Sequence, residues 1–66
     1  MAFKVYMTNF FYDLEDELPS EEEAIRRGRQ TGFDFTVYES RSGVGIRTCG
    51  DYSQATGSYV RYGSQS

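Results

Sequence analysis

Seven of the chain's ten carboxylates lie in one eleven-residue stretch, Asp13 to Glu23 (DLEDELPSEEE), uninterrupted by lysine or arginine. Carboxylates at this density can ligate a cation, share a proton as an acid/base pair, or present negative charge to a basic partner. Asp13, Glu15 and Glu17 alternate as the first ligands of an EF-hand loop do. Leu18, however, stands where that loop requires glycine, and Ala24 where it requires a bidentate glutamate. An acid/base pair needs an apolar enclosure that splits two pKa values, whereas Asp13 and Glu15 stand among further acids. With no histidine and one cysteine, Cys49, the commonest general base and a cysteine-rich zinc site are both missing. Cys49, beside Gly50, reads as a small packing residue, and Gly43-x-Gly45 as turn geometry, since no phosphate-loop lysine or helix follows. The expectation is a non-enzymatic protein with no catalytic residue, metal or cofactor.

Charge presentation remains. The acidic block has a formal charge of −7, while Lys4, the six arginines and the other three acids leave +4 elsewhere. Concentrated fields of this kind steer association and repel like charge. Duplex DNA carries one negative charge per roughly 1.7 Å of axis, so a compact row of carboxylates can compete for the Lys/Arg groove of a nucleic-acid-binding protein. Glu22 and Glu23 each precede an arginine by four residues, the spacing of helix ion pairs worth about 0.2–0.5 kcal/mol, so they are expected to be partly satisfied. Asp13, Glu15, Asp16, Glu17 and Glu21 are the expected partner-binding acids, with Phe10, Phe11 and Tyr12 as adjacent apolar anchors. A second candidate surface is a sheet face expected to present Lys4, Tyr6, Tyr38, Arg47, Tyr59 and Arg61. Tyrosines interleaved with cations suit single-stranded nucleic acid or a protein hot spot. The net charge of −3 and the lack of an RNP-type motif disfavour direct nucleic-acid binding.

The elements that must position these residues follow from pattern. Phe3 to Tyr12 is dense in β-branched and aromatic residues and reads as one strand. Pro19 ends the acidic segment, and Ser20 with Glu23 forms an S-x-x-E capping box that opens a helix over 21–30, stopped by Gly32. Its buried stripe is Ala24, Ile25 and Gly28. Phe33 to Ser40 alternates as a half-buried strand with Phe33, Phe35 and Val37 inward. A turn at Arg41-Ser42-Gly43 leads to a strand over 44–49 with Val44 and Ile46 inward. A polar loop over 50–57 precedes a short strand over 58–62 with Val60 inward. The expected fold class is α+β: two layers, one short helix on a three- to four-stranded, mainly antiparallel sheet in the order β-α-β-β-β.

A chain of 66 residues is one domain near the lower limit for an unaided core. Residues 1–62 are expected to form it and 63–66 a frayed tail. The single cysteine, the lack of a signal-peptide pattern and the absence of a stretch of about 20 apolar residues lead to the expectation of a soluble, cytoplasmic protein, monomeric or a small homo-oligomer, with no membrane partner.

In its layout over residues 3–62, an N-terminal aromatic strand, a capped short helix and a meander, with no specific motif, the chain resembles small proteins of phages and mobile elements, and is similar in outline to some anti-CRISPR proteins. That resemblance implies an inhibitor in the host cytoplasm that acts by acidic mimicry, its partner a host protein or nucleoprotein complex with a basic surface. A structural or assembly component is the remaining alternative.

Overall fold

Val5, Met7, Phe35 and Val37 are apolar residues at alternate positions of two extended segments, which puts all four on one face of a pleated sheet, where each is 0–1% exposed. The computed structural model describes residues 2–41 and 45–62. Its elements are β1 (Ala2–Met7), β2 (Tyr12–Asp13), α1 (Glu21–Arg29), β3 (Phe35–Arg41), β4 (Gly45–Ser53) and β5 (Ser58–Arg61). The five strands lie in the order β2-β1-β3-β4-β5, every neighbouring pair antiparallel, and α1 packs across β1 and β3. This is the α+β, two-layer architecture expected from the sequence, with one strand beyond the expected three to four.

The additional strand arises because the aromatic segment over 3–12 is not continuous. The amides of Phe10 and Phe11 donate to the Met7 carbonyl at 3.1 and 2.8 Å, Phe11 takes φ 62°, and the chain doubles back with Tyr12 opposite Met7 and Asp13 opposite Tyr6. The acidic segment then stays on this edge instead of leaving it as a linker. The Leu14 amide donates to the Val5 carbonyl at 2.8 Å, and Phe3 and Leu18 exchange both of their bonds at 3.0 and 2.9 Å. From Val5 to Phe3 β1 advances two residues while its neighbour advances four, so Glu15, Asp16 and Glu17 loop outward as a bulge. Leu14 and Leu18 pack against the core on either side of it.

The helix begins as expected, with the Ser20 hydroxyl accepting from the Glu23 amide at 3.2 Å, and Gly32 (φ 81°) turns the chain out after the Gln30 cap. Ala24 and Gly28 are its buried residues, and Ile25 packs at the margin. Gly28 sits directly on the fully buried Phe35 ring, whose other stacking partner is Tyr52, with centroids 4.8 Å apart. The Arg29 guanidinium lies 5.6 Å from the Tyr52 centroid and covers its ring.

The inward faces of the last two strands differ from expectation. Between Val37↔Gly50 and Tyr38↔Thr48 the register of β4 shifts by one residue, a bulge at Cys49. β4 runs through to Ser53, so the first half of the expected polar loop is strand, and Ile46 (71% exposed) and Val60 (61% exposed) face away from the helix. Phe33, expected inward, precedes β3 and is 45% exposed. Val44, the turn at 42–43 and the tail over 63–66 lie outside the described residues.

Helix propensity alone makes Gly28→Ala stabilising by about 1 kcal/mol. A Cβ at this position, however, stands 2.6 Å from the Phe35 ring, which has no free space to enter. Overpacking of this kind costs roughly 1–3 kcal/mol, so urea denaturation of Gly28→Ala is expected to show a net loss of stability.

Candidate functional site

Two local features meet on the β2 edge. At the hairpin tip, Phe10 (47%), Phe11 (80%) and Tyr12 (54%) are exposed, and Phe10 makes an edge-to-face contact with Phe33 at 5.0 Å. Phe11 is the one non-glycine with positive φ among the described residues. For a bulky side chain the left-handed region costs roughly 1–2 kcal/mol, and here that conformation closes the hairpin turn and leaves the ring in solvent. Below the tip, the bulge projects its acids. Glu15 is four positions beyond Phe11, at most about 14 Å of extended chain, so aromatic and acidic groups form one continuous strip along the edge.

The five expected binding acids are not equivalent. Asp16 accepts from the Arg27 Nε at 2.6 Å, and Glu21 accepts from the Tyr59 hydroxyl at 2.9 Å and the Arg61 Nε at 3.1 Å. Asp13 lies beside Tyr38 in the groove on the open face. Glu15 and Glu17 are exposed and meet no hydrogen-bond or ion-pair partner among the described residues. The helix pairing also differs from the expected spacing of four: Glu23 bonds Arg26 at 3.4 Å, and Arg27 turns to the bulge.

The second expected surface divides between the two faces of the sheet. Lys4, Tyr6 and Tyr38 do face away from the helix, and Tyr6, Asp13, Thr36, Tyr38, Ile46 and Thr48 line a shallow groove of about 310 Å³. Partial burial, and then the Asp13 carboxylate, hold the Tyr38 phenol above its ordinary pKa. Arg47, Tyr59 and Arg61 are on the helix side instead. Arg47 bonds Glu39, a carboxylate only 2% exposed, at 3.0 Å, while Tyr59 and Arg61 reach Glu21. The bulge at Cys49 sets Arg47 opposite Glu39, and the β4–β5 register then carries Tyr59 and Arg61 to the same side. The open face thus keeps Lys4, Tyr6 and Tyr38 and loses Tyr59 together with two of the three cations that a phosphate-tracking platform needs.

Sequence reasoning missed the cluster this creates at the helix N-terminus. Tyr59 lies over Gly50, and its hydroxyl bridges to Glu21, thirty-eight residues away in sequence. Cys49 is buried beside it, and burial pushes its thiol pKa up, which suits packing and opposes nucleophilic use. The capping signal placed Glu21 in the first helical turn, but nothing local to Tyr59 indicated that it would meet Glu21. Among the described residues no three His, Cys, Asp or Glu side chains are grouped to hold a metal, and no helix is long and apolar enough to cross a membrane.

Compared with protein-family models, with curated proteins and with solved structures, the chain matches none.

Burial first, and then the bond to Glu21, push the Tyr59 phenol well above its ordinary value of 10.0. The raised pKa favours the neutral phenol in the folded state. Its stabilising contribution is therefore complete below the unfolded value of 10.0 and is lost as pH climbs from there toward the folded value. Tyr59→Phe is expected to flatten the alkaline fall in stability, measured by urea titration across that range. At neutral pH the same variant should lose about 1 kcal/mol through the missing hydrogen bond.

Proposed function

We propose that the protein is a non-enzymatic inhibitor, similar to some anti-CRISPR proteins of phages, that docks through its β1–β2 edge onto a basic, nucleic-acid-binding surface of a host complex. The observation that carries this reading is Phe11, held at φ 62° with its ring 80% exposed, beside Glu15 and Glu17, which meet no partner among the described residues. A backbone strained to expose an aromatic ring fits a binding anchor better than a solvated turn, since strain concentrates where function requires it. Glu15 and Glu17 supply the charge that opposes lysines and arginines, with exposed Glu22 on the neighbouring helix adding to the field. Charge sets the on-rate and the Phe10, Phe11 and Tyr12 rings set residence time. Asp16 and Glu21 have a supporting part in this scheme, because their ion pairs pin the bulge and the helix start.

The test uses a purified Cascade-type complex and its target duplex, with the protein as competitor. Inhibition of DNA binding is expected, weakening as salt is raised. Glu15→Lys combined with Glu17→Lys should abolish it without lowering the melting temperature. Phe11→Gly should weaken it at least tenfold while stabilising the fold by about 1 kcal/mol through relief of the left-handed strain. Inhibition undiminished in both variants would remove the β1–β2 edge as the docking site. No inhibition by the native chain, with no basic subunit captured from nuclease-treated bacterial lysate, would reject the inhibitor reading.

A further inference from the structure

The two edges of the sheet are built differently. On the β2 side the edge strand is two residues long, is followed by the bulge of Glu15, Asp16 and Glu17, and ends at Pro19. Short strands, bulges, charges and proline are the devices that stop an edge from pairing with another chain. β5, at four residues, is twice as long and has no bulge or proline, and its one charge, Arg61, is drawn to Glu21 on the helix side.

Its free hydrogen-bonding groups can be assigned. The Tyr62 amide donates to the Cys49 carbonyl at 2.8 Å, and β5 pairs with β4 as Arg61↔Gly50, Val60↔Asp51, Tyr59↔Tyr52 and Ser58↔Ser53. Because antiparallel pairs alternate between bonded and non-bonded, Tyr62, Val60 and Ser58 direct their amides and carbonyls inward. Tyr59 and Arg61 direct theirs outward, where none of the described residues meets them. Val60, between them, exposes 61% of its surface on the open face.

We propose that β5 pairs antiparallel with β5 of a second copy about a two-fold axis through Val60, joining two five-stranded sheets into one. In this register Tyr59 of each copy lies opposite Arg61 of the other, and each of these pairs exchanges both of its backbone bonds. Val60 faces Val60 of the second copy in the non-bonded position on the axis, where Cα atoms approach to about 4.5 Å and side chains touch. No other centre on β5 satisfies the outward groups of both Tyr59 and Arg61 symmetrically.

The charges along the seam agree with this partner. On the helix side each copy brings one Arg61 and one Glu21, so the seam is neutral there. On the open face Asp51, the cross-strand neighbour of Val60, accepts from the Tyr62 hydroxyl and from the Thr36 hydroxyl. The acidic bulges lie at the far edges. Four inter-strand steps put each about 19 Å from the seam, so they repel little across a Debye length of about 8 Å. The interface is independent of the docking reading, because it uses the opposite edge and leaves both β1–β2 strips free.

Sedimentation velocity over a range of concentrations should show a monomer–dimer equilibrium. Val60→Lys puts two like charges on the axis, while in the monomer the lysine faces Asp51. It should therefore sediment as a monomer with the native melting temperature. Val60→Cys should form a disulfide-linked dimer under mild oxidation many-fold faster than Ala55→Cys in the exposed β4–β5 turn. The native Cys49 is 3% exposed and does not compete. A native chain that stays monomeric throughout, a Val60→Lys variant that still dimerises, or equal cross-linking of the two cysteine variants would each overturn the proposal.

Discussion

The fold depends on how closely one helix can approach one ring. Phe35 is the largest fully buried side chain, and it is clamped between Gly28 of the helix and the stacked ring of Tyr52. A nine-residue helix has no stability of its own in water. It exists because Ala24 and Gly28 let its backbone lie on the aromatic surface of β3, while Ile25 seals the margin. The opposite end of the helix is held by polar contacts, where Tyr59 and Arg61 of the last strand converge on Glu21. The chain thus uses a buried aromatic clamp at the C-terminal end of α1 and a hydrogen-bonded one at its N-terminal end, a compact solution for a domain with little core.

The acidic segment serves both structure and surface. Leu14 and Leu18 bond to β1 and pack inward, which fixes where the intervening acids project. The bulge blunts an edge strand and at the same time lifts Glu15 and Glu17 clear of the sheet. Arg27 takes Asp16 and Arg26 takes Glu23, so the helix neutralises the acids that face it and leaves the outermost ones to solvent. A row of charges that looks uniform in sequence becomes a graded surface, partly internal scaffolding and partly display. The strained Phe11 at the head of this edge belongs to the display.

The helix and its limits were legible in the sequence because their signals are local: a serine cap three residues before Glu23, acids in the first turn, arginines in the last, and Gly32 beyond. The alternation of Phe35 and Val37, and with it the α+β class, was legible for the same reason. The hairpin tip was not. Thr8 to Phe11 contains no glycine or proline, and a run of aromatics continues the pattern of a strand whether or not the chain turns.

Tertiary structure alone decided which face each late residue occupies. A single extra residue at Cys49 inverts the phase of β4 before it, so Ile46 emerges on the open face, and pairing with Asp51 carries Val60 there as well, although the hydrophobicity of both suggested the core. The strand register puts Arg47, Tyr59 and Arg61 on the helix side, where they meet Glu39 and Glu21, eight to forty residues away in sequence. Residue type and spacing determined this protein's helix, the α+β class and its concentrated charge. Which acids stay free, which edge stays open and which side chains share a face follow from long-range pairing, since strand phase and ion-pair choice are settled only when distant segments meet.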